Sequence, residues 1–161
     1  RPSPETIPCT AKAAGLYMIC TLSKDAAMAN GYADALMLDY RGYVAEATGA
    51  NVFFVKGEEV HTPKPDCFLN GITRQTVVQM LKERGVKVVE RHIEPAELEG
   101  FEQCWLTGTA AEVTPVSMID WRPIGKGTAG PVALRLREVY LEAVTGRRPE
   151  YEGWLTYVNG Q

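Results

Sequence analysis

The sequence predicts an α+β domain, and three observations carry that prediction. Short apolar runs rich in β-branched and aromatic residues are separated by turns containing Gly, Asn or Pro. Three longer stretches carry apolar residues at helical spacing. Strand-like and helix-like segments do not alternate as a regular βαβ series would require.

Taken in order, residues 1–8 (RPSPETIP) form a Pro-rich, extended lead-in, read as a linker that enters a domain spanning residues 9–161. The chain then reads as the second part of something longer. Residues 9–14 are expected to form a short strand carrying Lys12. Residues 16–31 fit a helical stripe through Leu16, Ile19, Cys20, Ser23 and Ala27, stopped by Asn30-Gly31. Residues 35–39 and 43–47 pair as a hairpin around Arg41-Gly42, and 51–55 with 60–62 as a second one around Lys56-Gly57-Glu58. Pro63-Lys64-Pro65 opens a loop that runs to Asn70.

The clearest helix opens at Gly71-Ile72-Thr73-Arg74, buries Val77, Met80 and Leu81, and ends at Gly85. Residues 86–93 read as a strand, 94–99 as a helical turn, 102–106 as an apolar strand, and 113–119 as another strand. Gly125 to Gly130 is a flexible turn. Residues 131–145 form an amphipathic helix with Val132, Leu136, Val139, Tyr140 and Ala143 on one face.

Composition excludes several classes. The 161-residue chain is long enough for one domain with a real core. Its net charge of −3 favours neither nucleic acid nor an anionic membrane surface. No apolar run is long enough to span a bilayer. The four cysteines, Cys9, Cys20, Cys67 and Cys104, show no CxxC and no metal-ligand spacing, so they read as buried free thiols of a cytoplasmic protein.

Chemistry concentrates in four places. Lys12 lies among Cys9, Thr10, Ala11, Ala13, Ala14 and Gly15, small neighbours that leave room for a flat ligand; a solvated lysine at a strand end is the plainer alternative. Glu46, inside YVAEATGAN, is a carboxylate in a similar patch of small residues. The helix start at Gly71-Ile72-Thr73 offers unpaired amides and a favourable dipole to an anion, although ordinary N-caps greatly outnumber phosphate sites. Thr107-Gly108-Thr109-Ala110 is a second small-residue turn where backbone amides could approach a ligand, or a plain strand-to-strand turn. Together a lysine, a carboxylate and two anion-holding turns describe a phosphorylated, carbonyl-bearing cofactor. Asp39 reads as a turn residue, Glu112 as solvated or salt-bridged, His61 and His92 as structural or exposed, and Arg147-Arg148 as a solvated pair.

The motifs AKAAGLY, GYADALMLD, GYVAEATGANVFFV, LNGITRQTVV and LTGTAAEVTPV together resemble the branched-chain amino acid aminotransferases. These are class IV, fold-type IV enzymes that use pyridoxal 5'-phosphate (PLP). The resemblance covers the chain from about Ile7 to the tail, where residues 153–159 also look familial. It implies a large domain with a mixed β-sheet or pseudo-barrel flanked by helices. It also implies transfer of the amino group of leucine, isoleucine or valine to 2-oxoglutarate, in a homodimer or higher homo-oligomer.

By the same resemblance, Lys12 falls on the lysine that forms the internal aldimine and moves the proton, and is expected to sit partly buried. Tyr17 falls on the tyrosine that reaches the ring oxygen, and Glu46 on the partner of the pyridine nitrogen. Ile72 and Thr73 fall on the phosphate-binding helix start, and Thr109 on a further phosphate contact. Thr109 and Ala110 fall on the backbone that receives the substrate carboxylate.

Three departures accompany the resemblance. The family's smaller N-terminal domain, which supplies an arginine to the phosphate and much of the side-chain pocket, is absent. Ala50 stands where many members have Glu. The 64–70 loop varies within the family. The same fold also serves D-amino acid aminotransferases, amine transaminases and aminodeoxychorismate lyase. A non-catalytic binding or dimerisation domain is the alternative from another class.

Overall fold

In the computed structural model, which describes residues 1–158, three helices and nine strands follow one another. Among the described residues the order is α1 (Tyr17–Ala29), β1 (Leu36–Leu38), β2 (Val44–Ala47), β3 (Asn51–Lys56), β4 (Glu59–Pro63), α2 (Ile72–Glu83), β5 (Lys87–Arg91), β6 (Gln103–Gly108), β7 (Glu112–Val116), β8 (Met118–Ile119), β9 (Arg122–Pro123) and α3 (Pro131–Val144). Short 3₁₀ turns occupy Ala14–Leu16, Pro95–Gly100 and Pro149–Trp154.

The main sheet has five strands in the order β5-β4-β3-β6-β7. Its one parallel pair, β4 with β5, is joined through α2, while β3, β6 and β7 pair antiparallel with their neighbours. The α+β class and the mixed sheet with flanking helices agree with the sequence reading. A single βαβ unit among antiparallel pairs accounts for the missing alternation.

β3 shows why the sheet stays in register. Along NVFFVK, Phe53 and Val55 join one core with α2, α3 and Trp105; Val52 and Phe54 join a second with Ile93, Phe101, Cys104 and Ile124. Both faces of the strand are buried, so a one-residue slip would exchange two fitted sets of side chains. Phe53 stacks on Trp105 with ring centroids 5.4 Å apart, and both are fully buried. These cores make the sheet a rigid support, with the starts of β3 and α2 and the end of β6 at its rim.

Several expectations are corrected. Residues 9–14 form no strand. Pro8 sets a local turn in which Ala11 N–H donates to Pro8 O at 2.9 Å and Cys9 N–H to Ile7 O at 2.7 Å, leaving no extended ladder. The lead-in is not simply extended: Thr6 N–H closes a turn on Ser3 O at 3.0 Å, and Ile7 packs against Cys9, Cys67 and Phe68. The helical stripe of α1 is mostly uncovered. Only Cys20 is buried within it, and Met18, Ile19, Leu22 and Met28 are exposed. The strand expected over 113–119 breaks after Val116, and Met118–Ile119 turns back onto Arg122–Pro123 through Asp120 and Trp121, both at positive φ.

Other minor readings divide. Asp39 is a turn residue, its Oδ1 accepting the N–H groups of Arg41 at 2.8 Å and Tyr43 at 3.1 Å. His61 is buried, and exposed His92 meets Asp66 at 2.8 Å. Arg147 is exposed, but Arg148 is half-buried and held by Glu142 at 2.7 Å, because the Pro149–Trp154 turn folds the tail back. All four cysteines are free and buried. Of the familial stretch 153–159, Asn159 lies outside the described residues.

Candidate active site

The site is built from three backbone features that converge at the rim of the sheet. The first is the tight β2–β3 connection, closed by Ala47 N–H donating to Ala50 O at 2.8 Å. It places Glu46 and Asn51 side by side. The second is the start of α2, where Gln75 is the first donor into the helix, to Gly71 O at 3.0 Å. The amides of Ile72, Thr73 and Arg74 therefore precede the intrahelical ladder. The third is the β6–β7 turn over residues 109–111. Gly108, before it, comes so close that a Cβ there would lie 3.3 Å from Gly49 O. This approach brings the two turns against each other.

Between these features lies a cavity of about 320 Å³. Small-molecule sites occupy roughly 300–1,000 Å³. Lys12, Tyr17, Glu46, Ile72, Thr73 and Thr109 all line it. Six residues from distant parts of the sequence thus meet in one space. Ala110 does not line it; it is exposed, one residue further along the turn. Lys12 is also exposed, against the expectation of partial burial. Its small neighbours that leave space beside it are too short to cover its amine.

Glu46 is the electrostatic centre. The residue is 7 % exposed, and burial pushes its carboxyl up to about 7, the nearby Arg1 guanidinium pulling the other way. Arg1 Nε lies 3.0 Å from Oε1 without a well-directed hydrogen bond, so that pair is coulombic. Asn51 Nδ2 donates to Oε2 at 3.2 Å. A carboxylate so placed gains most from a cationic partner on the cavity side.

Sequence reasoning gives no role to Asn51 or Arg1, and gives Thr107 only a place in the second small-residue turn. Asn51 reads there only as the first residue of the 51–55 strand, although a polar residue opening an apolar run is itself a signal. Thr107 lines the cavity, is 1 % exposed, and its hydroxyl has no hydrogen-bond partner within the described protein. Such an orphan calls for a ligand or water. Arg1 reaches the site from a segment that reads only as a linker.

The same arrangement has clear relatives. Residues 1–119 match the model of the class IV amino-transferases (Amino-transferase class IV). The chain is 46 % identical over 155 residues to a probable branched-chain-amino-acid aminotransferase of Aquifex aeolicus, covering 95 % of this chain and 50 % of that one. It is 37 % identical over 160 residues to the branched-chain-amino-acid aminotransferase of Escherichia coli, covering 99 % and 52 %. Among solved structures, the T.th. branched-chain amino acid aminotransferase complexed with N-(5'-phosphopyridoxyl)-L-glutamate superposes with a TM-score of 0.94 at 56 % identity. That match covers 97 % of this chain and 53 % of that one. The chain thus spans about half the length of the relatives it matches. With the family model matched over most of its length and the fold shared, this chain belongs to the class IV amino-transferase family.

Proposed function

We propose that this chain is the cofactor-binding domain of a branched-chain amino acid aminotransferase. In this reading residues 9–161 are the large PLP-binding domain and 1–8 lead into it, with a smaller N-terminal domain in the remainder of the relatives' length. The observation that carries it is the convergence of Lys12, Tyr17, Glu46, Ile72, Thr73 and Thr109 on one cavity. Identity to relatives named for branched-chain substrates favours that chemistry over the D-amino acid, aryl amine and lyase chemistries.

The residues fit PLP. A buried carboxylate at one end suits a protonated ring nitrogen. Free helix-start amides and the unpartnered Thr107 hydroxyl at the other suit a phosphate. Bound PLP supplies an aldehyde that carries the amino group and a ring that takes up negative charge. Lys12 would hold the cofactor through Nζ, and its free amine would take and return a proton at the substrate carbon as general base and acid. Glu46 keeps the ring nitrogen protonated, Tyr17 faces the ring oxygen, and Ile72, Thr73 and Thr109 hold the phosphate. Thr109 and Ala110 receive the substrate carboxylate, Ala110 from the exposed turn one residue beyond the cavity lining.

Assembly and location belong to the same reading. Met18, Ile19 and Leu22 on α1 form an uncovered apolar surface, which supports a homodimer or larger homo-oligomer. Buried free thiols support a cytoplasmic protein, and among the described residues no helix is long and apolar enough to cross a membrane.

The test follows the visible spectrum of the PLP-loaded chain, alone and extended to the relatives' length, on adding L-leucine, D-alanine or an aryl amine. Bleaching by L-leucine that 2-oxoglutarate reverses supports the proposal. Bleaching by D-alanine or the aryl amine alone overturns the substrate class, and an extended protein silent to all three overturns the activity.

A further inference from the structure

One side chain joins the two ends of the cavity. Asn51, the first residue of β3, is 5 % exposed. Its Nδ2 donates to Glu46 Oε2 at 3.2 Å and to Leu69 O at 3.0 Å, and its Oδ1 accepts the Gly71 N–H at 3.2 Å. Both amide hydrogens and the oxygen are used. Rotating the amide by half a turn would set its oxygen against a carboxylate and a carbonyl, and its NH₂ against an N–H. Three attractions would become three repulsions, so the chemistry of the neighbours fixes the orientation.

Gly71 is fitted to this side chain. Its φ of −59° and ψ of 146° are open to any L-residue, so conformation does not require glycine. Space does: a Cβ at position 71 would lie 2.6 Å from Asn51 Oδ1. That oxygen ends a side chain pinned by three hydrogen bonds, so it cannot yield without releasing Glu46 or Leu69.

We infer that Asn51 is a positioning residue whose amide ties the Glu46 carboxylate to the start of α2, holding the two ends of the cavity at one fixed separation. The inference rests on the reading of this cavity as a PLP site. A cofactor with a cationic ring nitrogen at one end and a phosphate at the other needs that separation, and a contact made at either end is then felt at the other. The remaining groups facing Glu46 are the Arg1 guanidinium and Cys20 of α1.

The test uses the full chain and the variants Asn51→Ala, Asn51→Asp, Gly71→Ala and the double variant Asn51→Ala with Gly71→Ala. Two quantities are read: the PLP dissociation constant, and the titration of the Glu46 carboxyl by carbon NMR in protein freed of cofactor. Asn51→Ala is expected to weaken PLP about ten-fold and to raise the Glu46 titration midpoint, because the carboxylate loses a donor. Asn51→Asp keeps the size and the acceptor but sets a second carboxylate against Glu46, so it raises that midpoint further. Gly71→Ala alone weakens PLP, yet adds less than about two-fold in the Asn51→Ala background, where the obstructing oxygen is gone.

A Glu46 midpoint unmoved in both Asn51 variants overturns the inference. So do losses at Asn51 and Gly71 that simply multiply. Failure of the wild-type chain to bind PLP counts against the functional reading instead. The Glu46 titrations, and the same mutant cycle read by urea unfolding, still decide the role of Asn51.

Discussion

The core behind the main sheet's central strand and the rim at that strand's start are held in different ways. Behind the strand, Phe53, Trp105, Val77, Met80 and Leu136 form a dense apolar core. At its rim, Glu46, Asn51, Gly71 and Thr107 are held by a few directed polar contacts, and one buried hydroxyl has no partner at all among the described residues. Apolar packing is spread over many neighbours, so the core tolerates small changes in any one of them. The rim depends on single atoms. That contrast suits a site: the core makes the frame rigid, and the rim keeps unsatisfied groups for a ligand to satisfy.

The largest effect is expected from Phe53→Ala, which removes a fully buried ring stacked on Trp105. A loss of about 3–5 kcal/mol is expected in urea unfolding. A loss below about 1 kcal/mol would erase the distinction between core and rim.

Next comes pH. The Glu46 carboxyl has an ordinary value of 4.5 and is pushed up to about 7 in the fold. Between those values the folded chain binds more protons than the unfolded one, so the contribution of Glu46 to stability is fully present below about 4.5 and is lost as pH rises towards 7. The swing is of order 3 kcal/mol at most. Unfolding midpoints of cofactor-free wild type and Glu46→Gln, compared across pH 4 to 8, should differ by this slope, which the Gln variant lacks. Parallel profiles would refute the assignment.

A smaller effect is expected at the orphan hydroxyl. Thr107→Val keeps the shape and removes an unpaired polar group, so cofactor-free stability should hold or rise by up to about 1 kcal/mol while PLP binds more weakly. Stability and binding lost together would show that the hydroxyl serves the fold. Smallest of all, Arg122→Ala breaks an ion pair with Glu99 in which both side chains are largely exposed, and should shift stability by less than about 0.5 kcal/mol.

The sequence makes much of this legible. The apolar run 51–55, the helix start at Gly71 and the small-residue turn at Thr107 announce themselves through periodicity and turn chemistry, which are local. Glu46 is legible because a carboxylate among Ala, Thr and Gly is locally unusual. What stays hidden depends on contacts between distant segments. The strand expected at residues 9–14 fails because no partner strand reaches it among the described residues, which no local pattern reveals. The α1 stripe reads as a core face, but nothing in the described chain covers Met18 or Leu22. Asn51 bridges positions 46, 69 and 71 only because the β2–β3 turn and the α2 start meet in space.

The central claim is that this cavity anchors PLP through Lys12. Its most direct test is borohydride reduction of the full chain mixed with PLP, followed by peptide mass mapping of the fixed label. The account predicts one label per chain, on Lys12, and none on the same peptide in Lys12→Ala. A label concentrated on another lysine, with Lys12 unmodified, would contradict it.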